Sequence, residues 1–246
     1  MDCKNCGNHV EGKYCSNCGQ DSKTSRITIP NFLSDISESI FQINKGLFFT
    51  TKELLFRPGN SIKEYLIGKR KNHFKPIAYV LLMSTLYFLT TQITNQNTWI
   101  DDGLVGWMEG TTGNSEFKFP NIIKWFGNNY AYSTLLLLPI FSLASYLSFY
   151  KSGENYLEHI VINSYITGYQ AIIYSFFAVV RYATGSSVVE AFPLFFAVGY
   201  TFWVFWQLFS DGSRVKNILG SLLTYFLYLM FSLIILLILV WISGIT

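Results

Sequence analysis

Charge is scarce in this chain, and cysteine is absent after residue 18. Only 13% of the 246 residues are charged, while 50% are apolar and 18% aromatic, a balance that excludes an ordinary soluble domain. The lack of later cysteines excludes a disulfide framework through the body of the protein. Several catalytic signatures are also missing. The sequence has no Gly-rich phosphate loop, no His-Glu-x-x-His and no serine nucleophile elbow, so the chemistries that depend on those spacings have nothing to rest on. Residues 1–75 are polar and hold no apolar core ahead of a small-residue cleavage site. No secretory signal is expected there, and insertion would fall to the first apolar span itself.

What is present comes in blocks. After Lys75, apolar runs cover about 76–93, 130–150, 160–182, 188–209 and 218–245, each long enough, at roughly 1.5 Å per residue, to cross about 30 Å of hydrocarbon. The pattern predicts an all-α integral membrane protein whose residues 76–246 form a five-helix transmembrane bundle. Lys and Arg set its orientation. Residues 1–75 hold twelve basic and seven acidic side chains; Lys151, Arg214 and Lys216 bring that side to fifteen basic residues, against Lys118, Lys124 and Arg181 on the other. The N-terminus is therefore expected in the cytoplasm and the C-terminus outside, with Lys69, Arg70, Lys71 and Lys75 fixing the choice. The net charge of +5 on residues 1–75 suits an anionic leaflet and is too small for a specific nucleic-acid footprint.

The cysteines form two knuckles, Cys3-Lys-Asn-Cys6-Gly7 and Cys15-Ser-Asn-Cys18-Gly19. This spacing can present four thiolates tetrahedrally, and it predicts a ribbon over residues 1–20 with Cys3, Cys6, Cys15 and Cys18 holding a structural zinc ion. A reducing cytoplasm disfavours disulfides, and a thioredoxin-like pair would need a βαβ context that the sequence lacks. His9 lies between the knuckles; four thiolates already close the site, which leaves it a solvated loop residue. Only eight residues separate Cys6 from Cys15, so a metal staple is favoured over a reading head.

Residues 21–27 read as a polar linker, and 28–75 as short amphipathic helices at the cytoplasmic interface. Thr28 and Pro30 would start the first, with Phe32, Leu33, Ile36, Ile40 and Ile43 as its apolar side and Asp35, Glu38 and Gln42 opposite. The second runs from Leu47 to Phe56 and stops at Arg57-Pro58-Gly59. The third is expected to begin at the capping box Ser61-Ile-Lys-Glu64. Between the first two spans, an outer loop from Asn95 to Asn129 holds Asp101, Asp102, Glu109 and Glu116 among the interfacial tryptophans Trp99, Trp107 and Trp125. Pro139 predicts a kink in the second span, and Arg181 is expected to face Glu190 at the outer mouth of the fourth.

The third block, Lys151 to Tyr182, is unlike the others. At about 100° per residue, His159, Asn163, Thr167, Gln170, Tyr174 and Arg181 fall within roughly an 80° sector. Polar groups in hydrocarbon are costly unless they face the bundle interior or a wet cavity, so this stripe is a candidate functional face. Glu158 and His159 stand at its cytoplasmic start, where a carboxylate beside an imidazole could serve as a base or metal ligand. Neighbours on a helix point about 100° apart, which argues against their acting together.

Several landmarks resemble a bacterial family known as domain of unknown function 3667, frequent in Bacteroidetes. The matching stretches are Tyr14-Cys-Ser-Asn-Cys-Gly-Gln20, Glu53-Leu-Leu-Phe-Arg-Pro-Gly59, Ile62-Lys-Glu-Tyr-Leu-Ile-Gly-Lys-Arg70, Pro76, and Asn155-Tyr-Leu-Glu-His159. The resemblance implies a zinc-ribbon membrane protein, brings no activity with it, and draws attention to Arg57, Arg70, Glu158 and His159. Five spans after a cytoplasmic region also look like membrane proteins of the Yip1 type, by topology alone.

Three functions fit this reading. The first is a non-enzymatic scaffold or regulator in the bacterial inner membrane, with residues 1–75 meeting a cytoplasmic protein partner and self-association open. The second is passage of an ion, a small solute or a lipid headgroup along the stripe. The third is an enzyme acting on lipid-linked substrates.

Overall fold

The computed structural model describes residues 1–29, 46–98, 129–186, 188–189, 192–209 and 213–243, with the isolated positions 103, 106, 110 and 125. The described residues form seven helices and no strand beyond two isolated bridges, Asp2 with His9 and Tyr14 with Asp21. The helices are α1 (Gly46–Phe56), α2 (Pro58–Ile67), α3 (Pro76–Thr94), α4 (Tyr130–Ser148), α5 (Tyr156–Thr184), α6 (Phe192–Leu208) and α7 (Arg214–Ser243). Each of the five apolar blocks overlaps one of the helices α3 to α7. Three of these, α3, α4 and the Arg214–Ile238 part of α7, are both long and apolar enough to cross a membrane. α6 is apolar but has 17 residues. α5 has 29 residues, about 43 Å of helix, but it carries the polar stripe.

Side-chain contacts fix the sense of each helix. Gly168 meets Tyr79 and Val80 while Gln96 Nε2 donates to the Ala178 carbonyl, so α3 and α5 run the same way. Asn163 and His159 of α5 meet Ser142 and Ser145 of α4 in reverse order. Gln170 reaches Ala197 on α6 while His159 stacks near Phe209 beyond its end. On α7, Gly220 meets Phe149 and Tyr228 meets Phe141. α4 and α6 therefore oppose α3, α5 and α7. The starts of α3, α5 and α7 and the ends of α4 and α6 gather at one end of the bundle, which also receives the N-terminal head.

α1 and α2 form a hairpin against that end, and its packing depends on a glycine. A Cβ on Gly59 would lie 2.4 Å from Gln207 Cβ and 2.6 Å from both Leu208 N and the Val204 carbonyl, so only a bare backbone lets α2 sit on α6. Tyrosines fill the space above, and buried ones need partners for their hydroxyls. Tyr165 donates to the Phe74 carbonyl at 2.6 Å, Tyr200 to the Leu54 carbonyl at 3.0 Å, and Tyr79 shares a 3.3 Å bond with Thr51.

One helix start differs from the expected one. α2 begins at Pro58, with Arg57 at its N-cap and no side-chain cap bond, because a proline in the first turn sets φ for a helix at no cost in hydrogen bonds. Ser61 is thus inside the helix, where its Oγ meets His73 Nε2 at 3.0 Å, and Glu64 turns toward Arg57. The expected helix on Phe32, Leu33, Ile36, Ile40 and Ile43 lies outside the described residues. So do Trp99, Asp101, Asp102, Trp107, Glu109, Glu116 and the Glu190 side of the pairing proposed with Arg181.

Candidate metal centre and polar seam

The two knuckles bring the four cysteines together. Gly7 and Gly19 adopt φ of 78° and 71°, a left-handed turn that favours glycine, and each returns its N–H to the carbonyl of the first cysteine in its knuckle at 2.8 Å. Ligand atoms of Cys3, Cys6, Cys15 and Cys18 all lie within 4.8 Å of one another. Cys3 and Cys18 sulfurs are 3.6 Å apart and those of Cys6 and Cys15 3.5 Å, close to the edge of about 3.8 Å that a tetrahedron with metal–sulfur bonds of about 2.3 Å would have. The set can therefore hold a metal ion. Backbone N–H groups of Cys6 and Cys18 hold the Cys3 and Cys15 thiols below their ordinary value, Cys15 at about 6. Loss of water and the crowded sulfurs push Cys18 up to about 11, a repulsion that a bound cation would relieve. His9 takes no part; it is exposed and sits 3.7 Å from Asp2.

Several side chains fasten the head to the helices, and Gln20 and Arg26 make the most bonds. Gln20 is buried, and its Nε2 donates to the Gly68 carbonyl at 2.9 Å while its Oε1 accepts from the Arg70 and Lys71 amides at 3.0 and 3.1 Å. Gly68 ends α2 in a left-handed turn with φ of 112°, which turns the amides of residues 70 and 71 toward Gln20. Arg70 itself stacks its guanidinium 5.2 Å above the Tyr65 ring and donates to the Ser25 carbonyl at 2.9 Å. Arg26, in the expected linker, reaches Glu158 with two parallel bonds, Nε to Oε1 at 2.9 Å and Nη2 to Oε2 at 2.7 Å. Glu158 is held from its own helix as well, because Asn155 and Glu158 form a capping box at the start of α5.

A second cluster locks the hairpin. Arg57 contacts Glu53 and forks onto Glu64 at 3.1 and 3.4 Å. Burial pushes the Glu64 carboxyl up, but Arg57 and Lys69 outweigh it and hold the group below its usual value. His73 is buried beside them and burial lowers its pKa.

The stripe on α5 divides by depth. His159 and Asn163 are fully buried in a seam with α4: Ser145 Oγ is 2.9 Å from His159 Nδ1 and accepts from Asn163 Nδ2 at 2.7 Å. His159 Nε2 and Asn163 Oδ1 have no hydrogen-bond partner. Thr167, Gln170 and Tyr174 instead line a cavity of about 400 Å³ between α4, α5, α6 and α7. Gln170 Nε2 is satisfied there by the Ala197 carbonyl and Thr201, each at 3.0 Å, and Tyr225 donates to the same threonine at 2.8 Å. Arg181 lies near the far end of α5, half-buried, and does not line this cavity. Glu158 and His159 diverge as adjacent helical residues must.

Sequence reasoning missed Gln20, Arg26 and Asn155 as site residues. The Asn-x-x-Glu spacing is a legible cap signal, Gln20 closes the Tyr14–Gln20 motif without its role being readable, and nothing local marks Arg26. Residues 44–88 match the model of a family described as "Protein of unknown function (DUF3667)", the family that the motifs resemble. That stretch includes the α1–α2 hairpin and most of α3, and the four-cysteine cluster and the Asn155–His159 motif lie outside it. No curated protein matches the chain, and no solved structure does.

Proposed function

We propose that the chain is a five-span protein of the bacterial inner membrane, with a zinc-stapled cytoplasmic head, that serves as a scaffold or regulator. Support for five crossings comes from the alternating sense of α3 to α7. Support for the orientation comes from the basic residues of the head, Lys69 to Lys75, Lys151, Arg214 and Lys216, which belong to one end of the bundle. Zinc is the ion that four thiolates in a small tetrahedral site suit best in a reducing compartment.

The observation that carries the functional reading is the double fastening of the ribbon by Gln20 and Arg26. A head that served only to fold itself would need no such joint. Docked in this way, it leaves Lys13, Tyr14 and Glu11 exposed as a rigid cytoplasmic face for a protein partner. Photocrosslinking in cells from position 14 tests this. A discrete protein adduct that is lost in Cys15→Ser and kept in Gln170→Leu is expected; no adduct, or equal loss in both variants, would count against the reading.

A second reading, passage of a small solute or lipid headgroup, has one observation in its favour, the cavity beside Thr167, Gln170 and Tyr174. Flux in proteoliposomes that survives conversion of His159, Asn163 and Gln170 to Ala would reject it.

A further inference from the structure

At the head end, a cleft of about 610 Å³ opens between the α4–α5 turn, the end of α6 and the start of α7. Its chemistry changes across its depth. The floor is apolar: Phe149 and Phe209 stack at 4.1 Å, and Leu219 and Leu223 continue it along an exposed face of α7. The mouth carries Lys151, Lys216 and Glu154. Neither lysine has a carboxylate within bonding distance among the described residues. The Oε2 atom of Glu154 is buried without a hydrogen-bond partner, and Arg26 acts on that carboxylate only through its charge at longer range. One cation–aromatic pair lies at the cleft, Lys151 over Tyr150 at 5.4 Å, and another, Arg214 over Trp206 at 5.3 Å, lies at the same end of the bundle, as at the headgroup level of a bilayer.

We infer that this cleft binds one phospholipid bearing a primary-amine headgroup from the cytoplasmic leaflet. The phosphate sits between Lys151 and Lys216, the ammonium meets the Glu154 carboxylate, and an acyl chain follows Leu219 and Leu223 into the membrane. Two lysines alone would suit any anionic lipid. The half-buried Glu154 carboxylate that lines the same cleft selects a ligand that carries a cation next to its phosphate, since a purely anionic headgroup would be repelled by it. The inference rests on the membrane reading above.

The test uses the full-length protein in detergent with a photoactivatable phosphatidylethanolamine. Labelling is expected in the peptides around 148–154 and 216–223. Unlabelled phosphatidylethanolamine should compete better than phosphatidylglycerol, and inorganic phosphate should not compete. Lys151→Gln and Lys216→Gln should each lower labelling about five-fold, and Glu154→Gln should abolish the preference for the amine headgroup while labelling persists. Labelling spread evenly over α7, unchanged in the lysine variants, or competed better by phosphatidylglycerol or by inorganic phosphate overturns the inference. Recovery of the chain without detergent, before any lipid is added, would instead sink the membrane reading beneath it.

Discussion

Arg26 and Glu158, 132 residues apart, are joined by two parallel hydrogen bonds of 2.9 and 2.7 Å. The pair is asymmetric: the Glu158 side chain is 6% exposed and that of Arg26 59%. Water therefore screens one partner, and removing Arg26 should cost about 1 kcal/mol, less than a buried charged pair would. Glu158→Ala should cost more than Arg26→Ala, because it also strips the Asn155 amide of its capping bond. Hydrogen exchange in the intact protein reads both effects. Arg26→Ala should speed exchange near residues 22–28, and Glu158→Ala should do so there and in the first turn of α5; unchanged protection of both segments in both variants would refute the joint.

Metal and joint should separate in a pair of variants. Purified protein is expected to carry about one zinc per chain, Cys15→Ser to lose it, and Gln20→Leu to keep it. Both variants should expose the Arg70 and Lys71 amides to exchange, since both end the Gln20 clamp. Full metal content in Cys15→Ser would remove the assignment of the four-thiolate site.

These two joints also mark where the sequence stops being informative. Cys-x-x-Cys-Gly and the apolar blocks are readable because the spacing of near neighbours determines them. The partners of Gln20 and Arg26 depend on which surfaces meet after folding, and a lone arginine in a polar stretch looks the same whether solvated or docked. The α5 stripe shows the same limit. A step of 100° places His159 and Gln170 on one face, but whether each meets a serine seam or a cavity depends on α4, α6 and α7, about which the periodicity of α5 says nothing. Ser61-x-x-Glu64 is the opposite failure: a local cap pattern overruled by Pro58 three residues earlier.

His73 gives the hairpin a dependence on pH. Burial lowers its pKa from the ordinary 6.5, so the folded hairpin holds the neutral ring and the unfolded chain takes up a proton first. Stability from this group is fully present above 6.5 and is lost as pH falls through that value toward the lowered one in the fold. Protection of the α1 and α2 amides should therefore decline on mild acidification, and His73→Gln should flatten the decline even if it lowers protection at neutral pH. A decline of equal depth in His73→Gln would assign the effect to other groups.

The packing of α2 on α6 can be tested through three glycines that differ in what surrounds them. At Gly59 a methyl group would meet two backbone atoms at 2.6 Å and the root of the Gln207 side chain at 2.4 Å. None of these can swing aside, and the Gly59 amide bond to Gln207 Oε1 at 3.0 Å would be strained with them. Gly59→Ala should cost about 3 kcal/mol, at or above the usual range for overpacking. At Gly168 the obstacle is the Tyr79 ring at 2.6 Å, with Val80 Cα at 3.2 Å behind it. The ring can tilt only by lengthening its bond to Thr51, so Gly168→Ala should cost about 1 to 2 kcal/mol. Gly199, in the middle of α6, has nothing within 4 Å, and there alanine should be neutral or stabilising by up to about 1 kcal/mol through helix propensity. Thermal unfolding of the three variants in the same detergent gives the order directly. If Gly59→Ala unfolds no earlier than Gly199→Ala, α2 does not rest on α6 through bare backbone, and the hairpin is not the fixed base on which the head is mounted.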